Sequence, residues 1–283
     1  MGQQIHWFPG HMSKALNEVE NKVKLVDVII ELFDARAPLS SINENLQKIA
    51  VNKKKLIVLT KIDLADSEQN KKWLDYFGKT YDSVLAIDLK KENAEALLSK
   101  AVVALGKDKW EKEKAKGMKP QPIRAMIIGI PNVGKSSLIN RLAKRKAAGV
   151  QNKPGYTRGE QWIKVNKDFL LLDTPGILPM SYENPKKAAN LALIGAIRED
   201  ILPNEQLGEY LLSFLKNHYP NSLKERFDVT DITDRLTVLK QIAERRKIVN
   251  SIGENDLIRA EALLLKEFKD GLLGNITLEW YES

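Results

Sequence analysis

The chain has no cysteine among its 283 residues and only three histidines. Disulfide staples and thiolate metal sites are thereby excluded, and a structural zinc site is not expected from so few nitrogen ligands. No apolar run approaches the roughly 20 residues that a bilayer span requires, so no integral membrane protein is expected. Met1 to Trp7 lack the basic-then-apolar order of a secretory leader, and the expected compartment is the cytoplasm. Internal repeats and low-complexity tracts are missing too. What is present, 43% hydrophobic and 29% charged residues, is the balance of an ordinary globular protein. The length suits two moderate domains better than one large core.

The net charge of +8 is unevenly placed. Residues 184–283 hold 14 Lys+Arg against 16 Asp+Glu, so the positive excess lies wholly in residues 1–183. It concentrates in Lys107–Arg124 and in Arg141–Lys167, where Glu160 is the one acid. Such stretches read either as solvated lysine-rich surface or as contacts to a phosphate backbone, which gain affinity by releasing condensed counterions.

Hydrophobic spacing sets the order of elements. Ser13–Val26 places Leu16, Val19, Val23 and Val26 on one helical face. Val28–Phe33, Leu56–Leu59, Val84–Ile87 and Ala125–Ile128 are short, β-branched apolar runs, as in strands buried on both faces. Helical stretches Glu68–Phe77 and Asn93–Leu105 alternate with them, which predicts a parallel sheet covered on both sides. Gly106–Pro122 reads as a long basic connector. Trp162–Val165 and Phe169–Leu172 read as a hairpin. Beyond Pro185 only helices are expected, at Ala188–Ile197, Gln206–Asn217, Leu236–Lys247 and Ile258–Phe268. The expected division is an α/β domain over residues 1–180 and a small all-α domain over residues 181–283.

Gly129-Ile-Pro-Asn-Val-Gly134-Lys135-Ser136 satisfies the phosphate-loop pattern, with a strand before it and the helix Ser136–Leu142 after it. Glycines let the backbone fold around phosphates, and consecutive amides at a helix N-terminus supply partial positive charge. Lys135 can reach the β- and γ-phosphates, and the Ser136 hydroxyl can ligate magnesium. Val133, Gly134 and Ser137 complete the cradle. Asp173, in Asp173-Thr-Pro-Gly176 at the end of an apolar strand, can hold that magnesium through water, while the Gly176 amide can sense the γ-phosphate. In Thr60-Lys61-Ile62-Asp63, the aspartate can accept both N1–H and the N2 amine of guanine. Adenine offers neither donor and would leave the carboxylate unpaired, at a high cost. The stem of Lys61 can lie across the base. Each short motif alone reads equally as a turn; the phosphate loop gives them their weight.

These motifs stand in an unusual order, with the base reader ahead of the phosphate loop and Asp-Thr-Pro-Gly. In this the chain resembles the circularly permuted GTPases. Trp7-Phe8-Pro9-Gly10-His11-Met12 and Asp34-Ala-Arg36-Ala-Pro38 further resemble the bacterial ribosome biogenesis GTPase A family. The resemblance implies a circularly permuted Ras-like P-loop domain with a mostly parallel six-stranded sheet. It also implies GTP or GDP with magnesium at Ser136, Thr157 and Asp173, and potassium held by Asn132. The implied partners are a large ribosomal subunit precursor and its rRNA, with ribosomal proteins as candidate contacts and no membrane. A monomer is expected. The implied role is a switch in late large-subunit assembly, stimulated by the particle.

Ile177 stands where Ras-like enzymes place a water-orienting glutamine, and the resemblance offers His11 for that task beside Lys135 and Asn132. A packing role for His11 remains open. Two departures stand out. Thr60 replaces the usual asparagine, which puts nucleotide affinity in question, and the second base loop, usually Ser-Ala, is matched only approximately by Ala86. In the helical part only the segment with Arg235, Lys240, Arg245, Arg246 and Lys247 is basic enough for RNA. A nucleotide-stabilised RNA-binding scaffold with little turnover, or a GTPase of RNA modification or protein targeting, would carry the same phosphate loop.

Overall fold

The computed structural model describes residues 10–91, 93–143, 162–174, 184–197 and 201–282. Thr157, Gly176 and Ile177 lie outside the described residues, as does the side chain of His11.

Six strands form one sheet: β1 (Val28–Asp34), β2 (Lys54–Thr60), β3 (Ser83–Ala86), β4 (Ile123–Gly129), β5 (Trp162–Lys164) and β6 (Phe169–Leu172). Their spatial order is β3-β2-β1-β4-β6-β5. All neighbours run parallel except β5 and β6, the expected hairpin. β1 lies inside the sheet with every residue buried, which is why it is apolar apart from Glu31 and Asp34.

Alternate residues of β1 serve different layers. Ile29 and Phe33 face α1 (Gly10–Val23), α2 (Glu44–Ile49) and α3 (Ser67–Gly78), where Val19, Leu46 and Trp73 are buried. Val28, Ile30 and Leu32 face α4 (Ala94–Leu105) and α6 (Lys135–Ala143) through Leu98, Val102 and Leu138. The expected connector instead contains α5 (Lys107–Ala115). This helix buries no residue, so it carries no apolar period to read. Lys109 anchors it to Asp27 at 2.8 Å, and Trp110 Nε1 donates to Gln121 O at 2.8 Å.

The four expected later helices are present as α7 (Pro185–Leu193), α8 (Asn204–His218), α10 (Arg235–Arg246) and α11 (Leu257–Lys269). A fifth, α9 (Ser222–Phe227), is too short for periodicity to reveal. Asn184, Asp234 and Asp256 cap α7, α10 and α11 by accepting from amides of the first turn. Leu191, Leu211, Leu239 and Leu264 belong to the same buried cluster as Val28 and Leu138, so the helices share a core with the sheet. Residues 271–282 then run back over α3. Ile276 N donates to Leu64 O at 3.1 Å, and Leu278 N donates to Arg36 O at 2.7 Å. Tyr281 meets Trp73 edge-on, with ring centroids 5.3 Å apart. The α/β unit is thus completed by the C-terminal end of the chain, which a single boundary at residue 180 does not express.

Among the described residues no helix is long and apolar enough to cross a membrane. One polar group inside the core stands out. Glu31 of β1 is 1% exposed, its Oε2 accepts from Gln47 Nε2, and its Oε1 has no partner. Burial pushes its pKa from 4.5 up to about 8, against the pull of Lys55 and the Gln47 hydrogen bond. The folded state therefore holds a proton that the unfolded chain releases, so stability falls as pH rises from 4.5 and levels off above about 8. Glu31→Gln should flatten that slope and raise stability at pH 8 by roughly 1–3 kcal/mol, the usual cost of an unsatisfied buried polar group. Urea unfolding at pH 5.5 and pH 8 checks this; parallel slopes for mutant and wild type would refute it.

Candidate active site

In a parallel sheet all strands end on the same edge, where ligands of open α/β folds bind. Here β1 ends at Asp34, β2 at Thr60, β4 at Gly129 and β6 at Leu172, with Asp34 in register with Thr60 and Leu32 with Gly129. The sequence motifs therefore converge although the chain visits them in permuted order.

The phosphate loop bridges β4 and α6. Asn132 (φ 58°) and Gly134 (φ 103°) both take left-handed backbone, the alternation that turns successive amides toward one concavity. A Cβ at Gly129 would lie 3.1 Å from Leu32 O and 3.0 Å from Val133 Cγ1, so the loop's first position tolerates little beyond glycine. Val133 is buried, and Ser136 and Ser137 stand in the first turn of α6. Lys135 Nζ lies 2.9 Å from Asp173 Oδ1. The motif lysine and the motif aspartate are thus brought together, and Thr174 Oγ1 donates to Ile127 O to fix the backbone just beyond β6. The Ser136 hydroxyl and the partly exposed Asp173 carboxylate are hard oxygen donors, a set that fits magnesium. Asn132 Nδ2 donates to Gly195 O at 2.6 Å, in the turn after α7, a partner that the potassium assignment did not anticipate.

Thr60 is fully buried, and its hydroxyl donates to Val133 O at 2.5 Å, with Phe33 O at 3.2 Å as the alternative acceptor. The shorter side chain therefore still ties the Thr60–Asp63 segment to the phosphate loop. Lys61 adopts φ 54° and sends its ammonium to Asp34 Oδ2 at 2.9 Å. Asp63 pairs through Oδ2 with Lys90 Nζ at 2.6 Å. That hydrogen bond and charge hold Lys90 more firmly protonated than a free lysine.

Ala86 proves to be a strand residue, in register with Leu59 and packed beside the Phe33–Phe77 cluster. The turn that follows β3 is Asp88–Lys90, beside Asp63 and the phosphate loop. Asp88 Oδ1 accepts from Lys90 N at 2.8 Å, Leu89 O accepts from Arg141 Nη1, and a Cβ at Gly134 would lie 3.4 Å from Leu89. An aspartate placed to close an Asx turn directly after a strand is the signal that could have located this loop.

Asp34 and Arg36, noted in the sequence as a family-like segment, are central to the site. Arg36 is 2% exposed and grips Asp34 through Nε–Oδ1 at 3.0 Å and Nη2–Oδ2 at 2.9 Å. Burial alone would raise the Asp34 carboxyl, but Arg36 and Lys61 outweigh it and hold the pKa below its usual value. His11 lies in the first turn of α1, whose Lys22, near the other end, approaches Asp173 O at 3.4 Å. Of the basic residues expected for RNA, Arg235 is committed internally to Glu261 at 2.7 Å and Glu205 at 3.0 Å. Arg245 pairs with Asp228 at 3.1 Å and Arg246 lies over Phe227.

Comparison with known proteins decides the family. A relative from Bacillus cereus, named ribosome biogenesis GTPase A, is 42% identical over 280 residues, covering 99% of this chain and 95% of the relative. The chain belongs to the ribosome biogenesis GTPase A family. A Mycoplasma genitalium relative, named probable ribosome biogenesis GTPase A, is 33% identical and covers 98% of the chain. The family described as "50S ribosome-binding GTPase" matches residues 124–248, beginning inside β4 and leaving the base reader outside, as permutation requires. The GDP-bound structure of YlqF from T. maritima superposes with a TM-score of 0.65 at 25% identity, covering 94% of this chain and all of that one.

With Asp63 as the base reader, Asp63→Asn exchanges an acceptor pair for one acceptor and one donor. Preference should move from GTP to xanthosine triphosphate by at least about 100-fold, within the range that paired polar recognition reaches. Fluorescence titration of both nucleotides against wild type and mutant measures it. An unchanged preference would leave Thr60–Asp63 as a turn and nothing more.

Proposed function

We propose that the chain binds GTP and hydrolyses it as a switch in late assembly of the large ribosomal subunit, stimulated by the ribosomal particle. The observation that carries this reading is the union of phosphate loop and base reader, sealed by Thr60 on Val133 O, in a chain aligned end to end with ribosome biogenesis GTPases.

Each residue's task is read from the motif in which it stands. The left-handed positions Asn132 and Gly134 supply amides for the β-phosphate, with Val133, Ser136 and Ser137 beside them. Lys135, now on Asp173, moves to the β- and γ-phosphates when these offer more charge than one carboxylate. Asp173 and Ser136, with Thr157, hold magnesium, which neutralises charge on the leaving phosphate. Gly176 reports the γ-phosphate by its amide. Thr60, Lys61 and Asp63 read guanine, assisted by the turn after Ala86. The segment over residues 181–283 is the RNA- and particle-binding part, acting in the cytoplasm as a monomer. Because Arg235 is spent internally, the basic stretches of the α/β part contribute to rRNA binding as much as this segment does.

Asn132 has a second task, holding potassium beside the phosphates through its side-chain oxygen while the nitrogen keeps Gly195 O. The ion would do the charge work of an arginine finger, worth roughly 10³–10⁵ in rate. Hydrolysis should then be faster in potassium than in sodium at equal ionic strength, and Asn132→Ala should abolish the difference while GDP still binds. Equal wild-type rates in the two salts would remove potassium from the mechanism.

His11 orients the attacking water that Ile177 cannot hold, and the large-subunit particle brings it into position. This positioning works through geometry and needs no change in the charge of the imidazole. His11→Ala should lose most of the particle-stimulated rate and keep both nucleotide affinity and co-sedimentation with large subunits. Single-turnover hydrolysis with and without particles measures the first. A mutant stimulated as strongly as wild type would make His11 a packing residue, and one that no longer co-sediments would make it a docking residue.

A further inference from the structure

The phosphate loop and the loop after β1 meet the helical part at a single turn. After α7 ends, Ile194 O accepts from Arg36 Nη2 at 3.3 Å, and the next carbonyl, Gly195 O, accepts from Asn132 Nδ2 at 2.6 Å. Gly195 has φ 77°, so the direction of its carbonyl is fixed by a left-handed turn that an L side chain would strain. The second helix end held here is that of α11, where Lys269 O accepts from Arg36 Nη1 at 3.0 Å. One guanidinium thus covers the negative ends of two helices. Its remaining edge is taken by Asp34, whose other ligand is Lys61 of the base reader. Between these contacts lies a cavity of about 350 Å³, walled by Lys61, Lys90 and Asn132 on one side and by Gly195, Lys269 and Asp270 on the other.

We propose that Arg36 is a positioning residue for GTP hydrolysis. It seats the α7 turn that orients Asn132, and through Asp34 it ties that setting to occupancy of the base reader by guanine. The inference rests on the GTPase reading above and adds a route by which the base, as well as the γ-phosphate, bears on the helical part. Guanine that draws Lys61 across its face takes one cation away from the Asp34 carboxylate, which leaves Arg36 as its counter-charge and so alters the grip of Arg36 on both helix ends. Linkage makes the effect reciprocal: a partner that shifts the helical part changes nucleotide affinity by the same factor. Arginine is required because lysine is a point charge without the planar fork that reaches a carboxylate and two carbonyls at once.

The test uses the full-length protein with Arg36→Lys, which keeps the charge beside Asp34, and Gly195→Ala, which disturbs the turn without touching Asp34 or Lys61. A Cβ at Gly195 would stand 3.3 Å from Lys269 Cδ, so the substitution is tight but not prohibitive in space. Three quantities are read: GDP affinity by fluorescence titration, single-turnover GTP hydrolysis, and hydrogen–deuterium exchange of residues 190–197 with and without GDP. In wild type GDP should slow exchange at 190–197. Both variants should lower hydrolysis at least tenfold; Gly195→Ala should keep GDP affinity within about threefold, and Arg36→Lys should lose the GDP-dependent protection. An Arg36→Lys protein with wild-type hydrolysis and protection overturns the proposal. Should that variant fail to fold, wild-type hydrolysis by folded Gly195→Ala overturns it equally. A wild-type protein that neither binds GDP nor hydrolyses GTP would instead remove the functional reading on which the inference stands.

Discussion

The buried carboxylate of Asp34 is the point on which the two parts of the molecule depend. It closes the central strand, accepts a forked pair from Arg36 and a bond from a second cation, Lys61, and is 1% exposed. Two charges taken out of water with incomplete pairing are a liability, and loss of one partner commonly costs about 3–5 kcal/mol. Here the deficit is met by geometry. Arg36 Nε and Nη2 go to the carboxylate while Nη1 and Nη2 also reach helix-terminal carbonyls of α11 and α7, so nearly every donor of the guanidinium is used. A buried ion pair with that many satisfied bonds specifies one arrangement of helices against sheet, which a purely apolar contact would leave free to slide.

The same joint explains why permutation is compatible with a working nucleotide site. Strand order and register, not chain order, bring Thr60 to Val133 and Lys135 to Asp173. The permutation changes instead the element into which each motif leads. In the chain Asp173 is followed, from Pro185, by α7, the helix whose far end rests on Asn132 and Arg36. The C-terminal turn of α7 is thus held by the phosphate loop and by the loop after β1 at once.

Much of this was legible in the sequence because strands buried on both faces and long amphipathic helices leave strong periodic marks. The phosphate loop was readable for a different reason: its glycines and lysine are dictated by backbone conformation and phosphate charge. The failures have equally specific causes. α5 buries nothing, so its Lys and Glu residues look like a linker. α9 has six residues, less than two turns. Ala86 was read as part of a loop, and the structure makes it the last residue of β3, a strand too short and half-buried for its end to be legible. Arg235 looked available for RNA because no local pattern reveals Glu261, 26 residues away in sequence and 2.7 Å away in space. Asp34 and Arg36 were visible as a motif, but their partners at Ile194 and Lys269 are long-range and come only with the fold.

The return of residues 271–282 across α3 has a mechanical consequence. Thr277 Oγ1 accepts from Asp66 N, Glu279 O from Trp73 Nε1, and Tyr281 N reaches Gln69 Oε1, so the strap is stitched along most of its length. The helices are therefore not a pendant on one tether but a span anchored at both ends, like a handle on its vessel. A handle moves only with its mounts, so any displacement of the helices against the sheet must carry the strap and its hydrogen bonds to α3 with it.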